Sequence, residues 1–171
     1  NQMKLGIIGA GNMGSSILKG VTSSNFLENK NIAIFDLNKE KIEELSKEYG
    51  VKKAENENEL AKESDILILS VKPNIIPKVL DKIKDDLSEK TIVLSIAAGI
   101  SIGFIENIIG TDKKVIRTMP NTPAQVMEGM TAVSFNHNIQ ENEKSMIFKL
   151  LNSFGKSIEI EEKLMHAYTG I

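Results

Sequence analysis

The 171-residue sequence contains no cysteine and a single arginine, Arg117. Without thiols, neither a disulfide framework nor a thiolate metal site can form. With one guanidinium, positive charge is carried by lysine, and bidentate anion clamping is scarce. No apolar run approaches the roughly 20 residues needed to cross a bilayer as a helix. Asn1 to Lys4 lack the charged flank and apolar stretch of a secretory leader, so a cytoplasmic location is expected. An excess of positive charge is also missing: 21 Lys and Arg stand against 23 Asp and Glu, interspersed, for a formal net charge of −2. Neither a nucleic-acid nor a membrane partner is expected from that balance. His137 and His166 each lack nearby partner ligands, so no metal site is expected.

What is present is a 41% hydrophobic chain, long enough to bury one core. Short apolar runs recur at residues 4–8, 32–36, 66–70, 91–95 and 114–118. Nearly continuous apolarity over so few residues is the mark of a strand covered on both faces. Helical spacing separates them. Met13, Ile17, Leu18 and Val21 fall on one face over residues 12–23, and Ile76, Val79, Leu80 and Ile83 over residues 75–87. Between these, Asn38 is positioned to cap a charged helix that Gly50 stops, and a brief helix is expected around Leu60. The end of the chain reads as a strand at 130–135, a helix at 140–153, a strand at 157–160 and a helix starting at Lys163. Strands alternating with helices predict an α/β fold: a doubly wound, mainly parallel sheet with helices on both faces.

Gly9-Ala10-Gly11-Asn12-Met13-Gly14 matches G-x-G-x-x-G. The string follows a predicted strand, opens a predicted helix, and precedes Asp36 at the end of the next strand by about twenty residues. That context identifies a Rossmann-type dinucleotide site. The first glycine allows the tight turn, the second lets a pyrophosphate approach the backbone, and the third lets helix and strand pack closely. The free N–H groups of the helix then face the phosphates. Asp36 admits two readings, a solvated carboxylate at a helix start or an acceptor for the adenosine ribose hydroxyls. The latter favours NADH over NADPH, while Asn38, Lys39 and Lys41 just beyond leave a phosphate group accommodated.

Three further segments stand where predicted strands end: Ser70-Val71-Lys72-Pro73, Ser95-Ile96-Ala97-Ala98-Gly99-Ile100 and Arg117-Thr118-Met119-Pro120-Asn121-Thr122-Pro123-Ala124. With the opening glycine loop, they resemble the pyrroline-5-carboxylate reductase pattern in order and spacing, from about Met3 to Ile171. The resemblance implies reduction of 1-pyrroline-5-carboxylate to L-proline with NADPH or NADH. It implies that Ile8 to Met13 cradle the pyrophosphate with Gly14 completing the cofactor loop, that Asp36 and Asn38 lie at the adenosine ribose, and that Ser70, Val71, Lys72, Pro73, Ile96, Ala97 and Ala98 line the ribose and nicotinamide side. Met119, Pro120, Asn121 and Thr122 would close the nicotinamide pocket beside the substrate. Family members often carry an asparagine eight residues before the aspartate matching Asp65; here Glu57 stands there, flanked by Asn56 and Asn58, and Asn56 is the expected contact.

In the family a helical domain opening with S-G-S-x-P-A-Y binds the substrate carboxylate and builds the oligomer. This chain stops at His166-Ala167-Tyr168-Thr169-Gly170-Ile171, where that segment would begin. Residues 3–162 are therefore expected to be the dinucleotide-binding domain and residues 163–171 the start of a helix leading into the second. The isolated chain is expected to bind cofactor without useful catalysis, and no catalytic side chain is assigned. Lys72 reads either as a solvated strand-end lysine or as a catalytic one, and Arg117 either as an ion-pair or as a cofactor residue. Two other functions fit the glycine loop: a reductase of the 3-hydroxyacid dehydrogenase type, and a non-catalytic dinucleotide-binding module.

Overall fold

A computed structural model describes residues 3–119 and 130–169, with the side chains of 166–169 left aside. Eight strands form one sheet: β1 (Leu5–Ile8), β2 (Ile32–Phe35), β3 (Lys52–Lys53), β4 (Ile66–Leu69), β5 (Ile92–Ser95), β6 (Lys114–Met119), β7 (Met130–Phe135) and β8 (Lys156–Glu159). Their order across the sheet is β3-β2-β1-β4-β5-β6-β7-β8. The first six are parallel, β7 runs antiparallel to β6, and β8 is parallel to β7. The doubly wound reading holds, with a reversed pair appended at one edge.

Seven α-helices accompany the sheet among the described residues: α1 (Asn12–Ser24), α2 (Lys39–Tyr49), α3 (Glu57–Glu63), α4 (Ile76–Ile83), α5 (Ile102–Ile109), α6 (Glu141–Leu151) and α7 (Glu162–Thr169). Strand residues alternate between two apolar layers, as a pleat of period two requires. Leu5, Ile7, Ile66, Ile68, Ile92 and Leu94 pack with α1, α2 and α6. Ile8, Leu67, Leu69 and Val93 pack with α3, α4 and α5 on the opposite face. Both layers are dry, which explains why the central strands show no polar alternation in sequence.

Two expectations on the helices are corrected. Met13 is exposed, and the buried face of α1 begins at Gly14 and continues through Ile17, Leu18 and Val21. The predicted helix over 75–87 is three pieces: a 3-10 turn at Pro73–Ile75, α4, and a second 3-10 turn at Lys84–Asp86. Pro77 near the start of α4 lacks an N–H, which suits a helix's first turn and no later position. Capping follows the sequence: the Lys41 N–H donates to the Asn38 side chain, and Gly50 closes α2 in the left-handed region at φ 67°.

Candidate functional site

The first loop turns on glycines that the protein itself requires at two positions and does not require at the third. Gly9 adopts φ +109°, and a Cβ there would lie 2.6 Å from the Ser70 carbonyl oxygen. A Cβ on Gly14 would run into the Gly9 carbonyl oxygen. Gly11 has an ordinary extended backbone (φ −74°, ψ −163°), and a Cβ built there meets no heavy atom within 4 Å. Neither conformation nor internal packing calls for glycine at that position. What its missing side chain leaves is open space above the start of α1. That helix has no side-chain N-cap bond and no acidic residue in its first turn, whereas Asn38, Asn56 and Ser101 cap α2, α3 and α5. Its N–H groups and positive end are thus left for an anion from outside.

Beside Gly11 a cleft of about 290 Å³ opens at the carboxyl ends of β1, β2 and β4. The crossovers run outward to β2 on one side of β1 and to β4 on the other, so this is the topological switch point where such sheets bind ligands. Ile8, Gly9 and Gly11 form one wall; Ser70, Val71 and Lys72 form the next. Phe35, Asp36, Leu37 and Glu57 complete the β2 side, and Ile75 and Val79 close the cleft from the α4 side.

Polar contacts hold the walls in register. The Ser70 hydroxyl donates to the Gly9 carbonyl at 2.7 Å, and the Gly9 N–H donates to the Phe35 carbonyl at 2.8 Å. The Ala10 N–H donates to Asp36 Oδ2 at 2.6 Å, and the Asn38 N–H donates to Asp36 Oδ1 at 2.8 Å. Asp36 therefore borders the cleft, and each of its oxygens already braces backbone. Its charge both ties the glycine loop to β2 and shapes the approach to α2.

The structure brings together Ile8, Gly9, Gly11, Asp36, Ser70, Val71 and Lys72 on one cleft. Asn12 and Met13 lie on the exposed start of α1. Pro73 opens the 3-10 turn after the Lys72 wall. Asn56 is exposed and caps α3, its side chain accepting from the Glu59 N–H at 2.8 Å, and it is Glu57 that lines the cleft. At the end of β5, Ile96 is half-buried, Ala97 is buried and Ala98 is exposed, outside the lining of this cleft. Met119 is buried against Ala132 and Met165, as core filler would be. Pro120, Asn121 and Thr122 lie outside the described residues. Arg117 is fully buried and pairs with Glu162 at the start of α7, 3.1 Å from Nη1 to Oε2, which is the ion-pair reading.

Sequence reasoning missed Phe35, Leu37, Ile75 and Val79 as lining residues. Leu37 carried a signal: an apolar side chain between Asp36 and Asn38, and it is 85% exposed at the rim. Val79 read as an ordinary core position of a helix and Ile75 only as that helix's start, and no local pattern separates a core contact from a cleft contact. Among the described residues, no group of three His, Cys, Asp or Glu side chains is arranged to hold a metal, and no helix is long and apolar enough to cross a membrane.

Residues 4–99 match the family model described as NADP oxidoreductase, coenzyme F420-dependent. The chain is 35% identical over 170 residues to pyrroline-5-carboxylate reductase of Escherichia coli strain K12, covering 99% of this chain and 63% of that protein. It is 40% identical over 169 residues to the protein of the same name from Aquifex aeolicus, covering 99% and 62%. Among solved structures, Plasmodium falciparum pyrroline carboxylate reductase with NADP bound superposes with a TM-score of 0.83 at 33% identity, covering 98% of this chain and 62% of that one. The chain thus spans about three fifths of the length of these relatives.

Proposed function

This chain belongs to the NADP oxidoreductase, coenzyme F420-dependent family, and from that premise we propose that it is the cofactor-binding part of an enzyme reducing 1-pyrroline-5-carboxylate to L-proline with NADPH or NADH. The observation that carries the reading is Gly11. It is a glycine with no internal reason to be one, set at an uncapped helix start beside a cleft at the sheet's switch point. A pyrophosphate fits both the space and the donors. Similarity to named pyrroline-5-carboxylate reductases along nearly the whole chain supports the choice of substrate.

In this reading Ile8 to Met13 hold the pyrophosphate, and Asp36 and Asn38 flank the adenosine ribose. Ser70 to Pro73 and Ile96 to Ala98 lie toward the nicotinamide, with Met119 to Thr122 next to the substrate. Bound nicotinamide supplies the hydride. The residues of this chain orient it and exclude water, and orientation alone accounts for much of the rate in such a transfer. Residues 3–162 form the dinucleotide-binding domain, and α7 leads toward a second domain that completes the substrate site and the homo-oligomer of a cytoplasmic enzyme.

Titrating the chain with NADH and with NADPH, followed by nucleotide fluorescence, tests the binding half. Saturable binding of at least one is expected, and none at millimolar concentrations of either removes the reading. The substrate half is tested by pyrroline-5-carboxylate reduction with the gene's complete product, using both cofactors.

A further inference from the structure

Two carboxylates border the cleft, and they are committed differently. Asp36 has one backbone N–H on each oxygen, from Ala10 and Asn38. Glu57 has no such backbone donor. It is the first residue of α3, yet its side chain is only 10% exposed, and it is the buried carboxylate among the described residues. Its recorded bond is to Lys82 Nζ, 2.9 Å from Oε1, and the lysine itself is half exposed. Oε2 accepts no hydrogen bond among the described residues.

Compensating the α3 dipole does not explain that inward turn, because Glu59 already supplies an acid in the same first turn. Burying a carboxylate against one half-exposed cation is costly unless something else meets it. Position in the cleft sets what that would be: Gly11 stands at the start of α1 after β1, Asp36 follows β2, the next strand outward, and Glu57 faces the same cleft from the start of α3. If the pyrophosphate lies at Gly11, the adenosine ribose lies next, between Asp36 and Glu57.

We propose that Glu57 is the residue that discriminates between a dinucleotide with a free ribose 2′-hydroxyl and one with a 2′-phosphate. Its carboxylate accepts from a hydroxyl and repels a phosphate, so the chain favours NADH. Lys82 damps the repulsion by holding one oxygen. This rests on the cofactor reading above, and it assigns selection to Glu57 and bracing of the glycine loop to Asp36.

The test is the ratio of NADPH to NADH dissociation constants, measured by fluorescence titration for the native chain, Glu57→Gln and Lys82→Met, with circular dichroism melts confirming that each is folded. The native chain is expected to bind NADH more tightly. Glu57→Gln should move the ratio toward NADPH by about tenfold, the scale of one like-charge contact near a surface. Lys82→Met should move it the other way, because the carboxylate remains and its counter-ion is gone. A purely structural role for the pair predicts that both variants shift the two affinities alike. Unchanged ratios, or the same shift in both variants, overturn the assignment to Glu57 and leave the cofactor reading standing. Failure of the native chain to bind either nucleotide overturns both.

Discussion

Gly9, Gly11 and Gly14 carry the same residue type for three reasons, and substitution separates them. Gly11→Ala meets nothing inside the protein, so stability should change by less than ~0.5 kcal/mol, as for an unencumbered surface site. Nucleotide affinity should nevertheless fall at least tenfold, read by fluorescence titration, if the space is where a pyrophosphate approaches. Gly14→Ala drives a methyl into the Gly9 carbonyl and should destabilise the fold by about 3 kcal/mol in urea denaturation. A Gly11→Ala protein that is as weak as Gly14→Ala would show that Gly11 is structural after all. The motif was legible in the sequence; which glycine serves the ligand was not, because that depends on what lies opposite each Cα. Asp36 teaches the same point. Its place at a strand end could be read from spacing, whereas the bonds from Ala10 and Asn38 exist only once β1 and β2 are side by side.

Elements followed the sequence most closely where local chemistry closes them. Asn38 and Gly50 bound α2, and Ser101, which accepts from the Phe104 N–H, opens α5. At α7 the sequence places the helix start at Lys163, one residue from its observed start at Glu162, but the contacts that anchor it are remote. Glu162 Oε2 accepts from the Ile102 N–H at 2.7 Å and pairs with fully buried Arg117, so one carboxylate joins α5, β6 and α7. Removing Glu162 takes away a carboxylate that a buried guanidinium and a backbone N–H both use. Glu162→Ala should therefore cost about 3 kcal/mol in chemical denaturation and speed amide exchange throughout α7. A loss within the range of ordinary surface variants would mean that Arg117 does not depend on this partner. Arg117 itself read in sequence as either a cofactor residue or an ion-pair residue, since its partner lies 45 residues away in the chain.

At the scale of the whole molecule, one sheet with an apolar layer on each face makes the cleft a product of the folded state alone. Its walls come from segments after β1, β2, β3 and β4 that meet only when the sheet is assembled. A ligand of that cleft binds the native state and not the unfolded chain, so it must stabilise the fold. With NADH at 100 times its dissociation constant the gain should be about 2.7 kcal/mol. For a chain of this size that is a Tm rise of roughly 5–10 °C, measurable by differential scanning fluorimetry. No shift at saturating NADH or NADPH would argue that nucleotide binds elsewhere or not at all.

The sequence by itself determined the alternation of strands and helices, the dry central strands, the caps and the glycine loop, because each rests on residues within a turn or two of one another. Resemblance in its later loops pointed to the reductase family. Only the tertiary structure decided that β7 and β8 run against the other six strands and that Asp36 braces the loop. It also decided that Glu57 rather than Asn56 faces the cleft, and that Leu37, Ile75 and Val79 border it. Periodicity states whether a side chain turns inward along its own element, but what it meets there depends on which elements the sheet order makes neighbours.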